Sequence, residues 1–273
     1  MHPYFTQCLN KLTDHWEKDP RALAFAMSGS GGRGVDDEWS DLDVILVTSD
    51  DAYASICREM KELMGSVCGD IYIWLPEGET EKSVNYAFIF DKDGEQFLFD
   101  HAVICESLIK KTGKIEAGVV FFDKTGSLTG ANQRFKEYKP DFEASDLSGI
   151  IDKYLVYTYL NGKYYRREDT AKLLYIQNTL QELHIRLMAA LYPGCIFSGW
   201  WCNDIYLLSP EHQKNILIYA APPDCKQIGR LVLRELDYFG RDAREACGFM
   251  KVIYPDVQEK YVLRQLIGAG LPY

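Results

Sequence analysis

Apolar residues in the first half of the chain recur with two different spacings. Between Tyr4 and Trp16 the spacing is helical, which predicts an amphipathic helix that ends near Pro20. Continuous or alternating apolar runs predict strands over residues 22–28, 42–48, 70–75, 84–90 and 95–104. The turn sequence at residues 91–94 joins the last two strands as a hairpin.

A further helix is predicted after the second strand. Ser49, Asp50 and Asp51 are its candidate N-terminal caps. One side of this helix is apolar and carries Ile56, Met60, Leu63 and Met64.

Beyond about residue 140 the pattern becomes helical. Helical periodicity covers residues 147–162, 168–192, 224–248 and 255–268. The longest of these segments carries an apolar stripe of Leu173, Leu180, Leu183, Leu187 and Leu191. With a boundary at Lys139-Pro140-Asp141, the sequence predicts an α+β protein with an α/β domain over residues 1–140 and an all-helical domain over residues 141–273.

Composition narrows the class of partner. The 273 residues include 40 acidic and 30 basic side chains, a net charge of −10, and 47% are hydrophobic, which is typical of a folded globular protein. The acidic excess disfavours nucleic acid and favours cationic or neutral small molecules. Because there is no signal-peptide pattern and no apolar run of about 18 to 20 residues, we expect a cytoplasmic protein without a membrane partner.

The eight cysteines have no metal-site or disulfide-framework pattern. They include no CxxC pair and no cluster with histidine. We expect them to be reduced and mostly buried.

A glycine-rich segment, Gly29-Ser30-Gly31-Gly32-Arg33-Gly34, follows the first predicted strand and formally satisfies the dinucleotide-binding pattern GxGxxG. Only seven residues, 35–41, separate it from the next strand, and four of them are acidic. A crossover between parallel strands needs about a dozen residues. Acidic side chains also repel a diphosphate, so spacing and charge both disfavour a dinucleotide site.

The same glycines precede Ser40-Asp41-Leu42-Asp43, where the alternation of a strand places both carboxylates on one face. Two neighbouring carboxylates favour a cation between them, and oxygen ligands suit Mg²⁺. The loop amides, the Ser30 hydroxyl and Arg33 could hold phosphate oxygens. Taken alone, the glycine loop is typical of a turn, the aspartate pair of a solvated strand end, and Arg33 of a surface charge. Their combination predicts a metal–nucleotide site.

These motifs resemble the GS…(S)DxD signature of the polymerase-β-like nucleotidyltransferase superfamily. Residues 88–101 and 119–126 are similar to a hairpin and an Asp-Lys turn of aminoglycoside 6-adenylyltransferases, and the second segment also to some lincosamide nucleotidyltransferases. The resemblance covers most of residues 22–130, while the helical half agrees only in type. It implies a polymerase-β-like domain with a mixed sheet, followed by a helical bundle.

The resemblance implies that Asp100 is a third metal-binding carboxylate. In the alternating strand pattern, Asp100 lies on the face opposite His101, for which a structural role is the favoured interpretation. Asp70 is the main competitor of Asp100, and Asp91 is better explained as a turn residue.

The implied mechanism uses two Mg²⁺ ions and a nucleoside triphosphate. Asp41 and Asp43 would bind both ions, and Asp100 would bind the ion nearest the acceptor and accept its hydroxyl proton. Gly29, Ser30 and Arg33 would hold the β and γ phosphates. Ser40 either contacts a phosphate, orients Asp41 or caps the strand.

The leading functional hypothesis is transfer of a nucleoside monophosphate, AMP from ATP, to a hydroxyl of a small molecule. The resemblance and the acidic charge suggest an aminoglycoside or lincosamide antibiotic as acceptor. A protein or metabolite acceptor is the alternative, and a non-catalytic nucleotide-binding regulator is a third hypothesis, disfavoured by the presence of all three carboxylates.

The helical domain is expected to form the other wall of the cleft and to contact the acceptor. Glu182 is an alternative general base, although a solvated helix face explains it equally well. The polar and aromatic candidates there are Tyr154, Tyr157, Tyr164, Tyr165, Glu168, Glu182, His184, Trp200 and Trp201.

Overall fold

The computed structural model describes residues 1–138, 141–195, 202 and 204–272. The chain divides into two compact units, Met1–Tyr138 and Lys139–Tyr273. The first unit combines a mixed sheet with helices, and the described part of the second is helical, so the predicted α+β class is confirmed. The proposed boundary residues Lys139 and Pro140 lie outside the described residues.

One mixed sheet of six strands runs through residues 1–138, a range whose backbone is described throughout. Its strand order is β3-β4-β5-β2-β1-β6. The central pair β2 and β5 is parallel, and every other neighbouring pair is antiparallel. The strands are β1 (Ala22–Met27), β2 (Leu42–Thr48), β3 (Asp70–Glu77), β4 (Ser83–Lys92), β5 (Glu95–Cys105) and β6 (Val119–Asp123). All five strand predictions are confirmed, with small differences at their ends.

Helices cover both faces of this sheet. On one face, α1 (Pro3–Lys18) and α3 (Tyr53–Cys68) share a core with inward-facing residues of β2, β4 and β5. On the other face, α4 (Glu106–Thr112) and α5 (Ser127–Glu137) pack around Val47 of β2 and Ala24 and Ala26 of β1. Ile45 and Val47, which follow Asp43 on the same face of β2, are buried, so the far end of that face is apolar.

Two local predictions in this unit differ from the structure. The glycine segment forms a short helix, α2 (Gly29–Arg33), which ends at the left-handed residue Gly34. The helix α3 has Ala52 at its N-cap and no side-chain cap, so the predicted capping role of residues 49–51 is wrong. The Asp50 carboxylate instead accepts hydrogen bonds from the backbone and hydroxyl of Ser107.

The second unit, described by itself, consists of α6 (Ala144–Arg166), α7 (Thr170–Leu187), α8 (Pro210–Leu217), α9 (Cys225–Met250) and α10 (Asp256–Gly268). The four predicted helical segments are confirmed. The segment over 168–192 ends its α-helix at Leu187 and continues as a 3₁₀ turn, Met188–Ala190. The helix α8 was not predicted. Of the described helices, none has both the length and the apolar character that a membrane crossing requires.

The core of the helical unit contains buried polar side chains. The Tyr154 ring stacks on Phe239 at 3.4 Å between ring centroids. The fully buried Glu235 accepts a hydrogen bond at Oε2 from Gln177 Nε2 at 3.0 Å. Burial raises the pKa of Glu235 to about 8, so this carboxyl is predominantly protonated at neutral pH.

Candidate active site

Three carboxylates meet where β2 and β5 run side by side. Asp43 of β2 lies opposite Asp100 of β5 in the parallel register. Asp41 lies two residues before Asp43, and one oxygen from each of the three side chains lies within 4.8 Å of the other two. All three side chains are half-buried. The structure thus brings together the carboxylates named as metal ligands from the sequence.

The two competing aspartates lie elsewhere on the sheet. Asp70 is exposed and begins β3, an edge strand separated from β5 by β4. Its partner in the register, Asp91, accepts a hydrogen bond at Oδ1 from the Gly94 backbone at 3.1 Å. Asp91 therefore stabilises the hairpin turn, and neither residue belongs to the group of three.

The electrostatics of the group favour a bound cation. Burial, together with the charges of Asp41 and Asp100, raises the pKa of Asp43 to about 6, while Arg33 opposes the rise. Burial also raises the pKa of Asp100. Both shifts show that three negative charges cannot be held here without cost. A divalent cation with oxygen ligands would remove that cost, so the residues present fit Mg²⁺.

The glycine segment lies directly against these carboxylates. The Ser28 amide donates to the Asp43 carbonyl at 2.9 Å. Gly29 has φ +59°, and a Cβ built on it would overlap the Asp43 carboxylate. Gly29 therefore needs to be glycine for two reasons: its backbone conformation and the approach of the carboxylate.

A second close approach supports the segment from β6. A Cβ on Gly118, the residue before β6, would overlap the carbonyl of Gly32. The Gly118 amide also donates to the Met27 carbonyl at 3.0 Å. Gly118 carries no signal in the sequence, because only the tertiary fold brings it to the glycine segment.

Two side chains of this segment were expected to contact phosphate. The Ser30 hydroxyl oxygen is buried and has no hydrogen-bond partner in the part of the chain that the structure describes. The Arg33 guanidinium is partly exposed, and its Nη1 lies 3.3 Å from Glu116 Oε2. Both groups lie on the glycine segment, and the Arg33 guanidinium is the more accessible of the two.

Ser40 has a different environment. Its hydroxyl donates to Asp37 Oδ1 at 3.0 Å and accepts from the Asp37 amide at 2.9 Å. These bonds close the turn before β2, so the geometry favours the capping interpretation over a phosphate contact.

His101 points away from the carboxylates, as its strand alternation predicts. It is fully buried, with its ring stacked against Phe25 and Phe99 at 6.1 Å between centroids in each case. Burial lowers the pKa of His101 to about 4, so the imidazole is neutral. These contacts indicate a structural role for His101 in the core.

Asn85 of β4 is a further neighbour of the carboxylates that the sequence does not predict. Its amide Nδ2 donates to Asp100 Oδ1 at 2.7 Å. No local signal distinguishes this residue, because the contact depends on which strand pairs with β5.

The residues of the helical unit that were candidates for acceptor contacts lie in different environments. Tyr154 and His184 are fully buried, and His184 Nε2 lies 2.8 Å from Asp242 Oδ2. Tyr157, Tyr164 and Tyr165 are partly buried against the helical core. Glu168 and Glu182 are exposed, and Trp200 and Trp201 lie outside the described residues. Exposure of Glu182 agrees with a solvated face of α7.

The strand directions exclude a dinucleotide-binding unit at the glycine segment. Such a unit needs two parallel strands joined by a crossover helix. Here β1 and β2 are antiparallel neighbours, and α2 has only five residues.

No protein-family model and no curated protein sequence matches the chain. Among solved structures, the chain is similar to the crystal structure of an aminoglycoside 6-adenyltransferase from Bacillus subtilis. The identity is 12%, the alignment covers 100% of both chains, and the TM-score is 0.45. A likeness of this size carries no functional assignment.

Proposed function

We propose that this protein is a nucleotidyltransferase that moves a nucleoside monophosphate, AMP from ATP, to a hydroxyl of a small molecule. The observation that supports this proposal most strongly is the juxtaposition of the glycine segment with Asp41, Asp43 and Asp100. Transfer at the α-phosphorus of a triphosphate needs phosphate donors beside a cluster of metal ligands. In this protein the glycine segment, which carries the phosphate donors, lies beside the three carboxylates.

The residues divide into two tasks. Asp41 and Asp43 would hold both Mg²⁺ ions, and Asp100 would hold the one nearest the acceptor. When bound, these ions supply charge neutralisation at the attacking and leaving oxygens. The Ser30 hydroxyl, the amides of the glycine segment and Arg33 would orient the β and γ phosphates.

Asp100 has a second task in this proposal. Its carboxylate would accept the proton of the acceptor hydroxyl as that oxygen attacks the α-phosphorus. Pyrophosphate then leaves on the side held by the glycine segment. One Asp100 oxygen accepts a hydrogen bond from the Asn85 amide.

For the acceptor, we propose a cationic small molecule of the aminoglycoside or lincosamide class. The net charge of −10 supports a cationic partner. A protein or metabolite acceptor would give the same pyrophosphate release with a different product, so product mass distinguishes these cases.

The test is a screen of each nucleoside triphosphate with Mg²⁺ and a panel of aminoglycosides and lincosamides, read by pyrophosphate release and product mass. Asp43→Asn should lower the transfer rate by several orders of magnitude. Asp70→Asn makes the same change on the same sheet, outside the carboxylate group, and should retain the rate. Full turnover by a variant that combines Asp41→Asn and Asp43→Asn would contradict the proposal.

A further inference from the structure

The strand β4 places one amide side chain on the same sheet face as the carboxylates. Val84, Tyr86, Phe88 and Phe90 alternate into the core shared with α1 and α3. Asn85 lies between the first two of them in sequence and therefore points to the opposite face. Ala87, on that same opposite face, pairs with Asp100 in the register.

Asn85 lies between two carboxylates. On one side its Nδ2 donates to Asp100 Oδ1 at 2.7 Å. On the other side Asn85 pairs with Glu77 of β3 in the antiparallel register, so Glu77 shares its face. An ionised carboxylate only accepts hydrogen bonds, so the NH₂ group of the amide is the part that faces Asp100.

An amide has a specific advantage at this position. A lysine or arginine here would pair with Asp100 more strongly, but its fixed positive charge would repel a divalent cation. An acidic residue would add a further negative charge between Asp100 and Glu77. The neutral amide stabilises the ionised form of Asp100 and fixes one oxygen, which leaves the second oxygen to bind a ligand.

We propose that Asn85 is a positioning residue that orients Asp100 for metal binding and transfer. This inference rests on the proposed function, because it assigns Asn85 a role in that same site. Hydrogen-bond partners of metal ligands typically change metal affinity or activity by about 10-fold to 100-fold when they are removed.

The experiment measures Mn²⁺ binding by calorimetry and transfer kinetics on Asn85→Leu, which removes the donor at similar side-chain size. We expect the Mn²⁺ dissociation constant to rise, and kcat to fall, by about 10-fold or more. The KM for the triphosphate should stay within about twofold, because the Asn85 amide donates to Asp100 and not to a group proposed to hold phosphate. A general packing defect would not change the Mn²⁺ dissociation constant and kcat while leaving the KM for the triphosphate unchanged.

Controls separate the role of the amide from effects of folding. Asn10→Leu makes the same change at an exposed position of α1 and should leave both quantities unchanged. Asn85→Gln keeps an amide donor and should recover part of the loss. If Asn85→Leu does not fold, Asn85→Thr replaces it, since threonine favours strands and its hydroxyl is too short to reach Asp100.

The outcomes distinguish this inference from the proposed function. Mn²⁺ affinity within about twofold of wild type in the folded Asn85→Leu variant overturns the role of Asn85, even if transfer is observed. Absence of Mn²⁺ binding in the wild type overturns it as well, together with the metal site. If the wild type binds Mn²⁺ but transfers to no acceptor, the transfer proposal fails, and a weaker Mn²⁺ affinity of Asn85→Leu still supports the role of Asn85.

Discussion

The backbone of Gly29 lies so close to the carboxylate of Asp43 that a single methyl group on Gly29 would occupy the carboxylate's position. Gly34, five residues later, has a similar left-handed conformation, with φ +69°, but a methyl group there would meet open space. The two glycines form a matched pair in which only one touches the candidate catalytic group.

Alanine substitutions at these two glycines should therefore distinguish the effect of backbone strain on stability from the effect of displacing Asp43 on the transfer rate. Both Gly29→Ala and Gly34→Ala should cost about 1 kcal/mol of unfolding free energy from the left-handed backbone. Only Gly29→Ala should displace Asp43, and we expect a rate loss of about 100-fold or more. Transfer kinetics and chemical denaturation check this, and equal rates for the two variants would show that Asp43 tolerates displacement.

Gly118 should support the glycine segment from outside it. The change Gly118→Ala forces a methyl group against the Gly32 carbonyl, so we expect a loss of about 1–3 kcal/mol in stability and a raised triphosphate KM. Gly65→Ala is the control, because Gly65 lies in α3 with no neighbour within 4 Å of the added carbon. It should gain about 0.4–1 kcal/mol with kinetics unchanged. An unchanged KM in Gly118→Ala would argue against this support.

The carboxylate group should reduce stability when no divalent cation is bound. In EDTA, Asp43→Asn removes one of three crowded charges and should raise the free energy of unfolding by about 1–2 kcal/mol. Millimolar Mg²⁺ should raise the unfolding temperature of the wild type and have little effect on the variant. A variant less stable than wild type in EDTA would show that Asp43 is stabilising by itself.

Glu235 should make the stability of the helical unit depend on pH. The folded state holds its proton up to a pKa of about 8, whereas the ordinary value is 4.5. Between these two values only the unfolded state releases the proton. The free energy of unfolding should therefore fall, by up to about 1.4 kcal/mol per pH unit, as pH rises through this window.

Glu235→Gln should remove that dependence. Its unfolding temperature should exceed that of the wild type at pH 8 and approach it near pH 5, as measured by thermal denaturation. Glu182→Gln, on an exposed part of α7, is the control and should follow the wild type. Parallel pH curves for wild type and Glu235→Gln would mean that Glu235 does not titrate in this range.

Local sequence pattern was sufficient to predict much of the fold and two of the three carboxylates of the candidate site. Strand alternation places Asp43 of β2 and Asp41, the residue just before β2, on one face without knowledge of any other strand. Asp100 could not be predicted in this way, because local pattern does not show which strand lies beside β2. Its assignment came from a family resemblance, and the parallel pairing of β2 with β5 places it beside Asp43.

Several other features could also not be predicted from the sequence, and each has a physical reason. The expected cap of α3 was lost because the Asp50 carboxylate binds Ser107, which is distant in sequence. Gly118 and Asn85 carry no local signal, since their contacts arise only when β6 meets β1 and β4 meets β5. Three roles stayed open for Ser40, because the strand pattern does not show the turn that its hydroxyl closes with Asp37.

The parallel pairing of β2 with β5 also bears on the order of folding. The strands β3 and β4 lie between them in the chain, and they form an antiparallel meander with β5 that closes through short loops. Pairing β2 with β5 requires a much longer loop closure, which is entropically slower. We therefore expect the carboxylate group to assemble late in refolding, after the antiparallel part of the sheet.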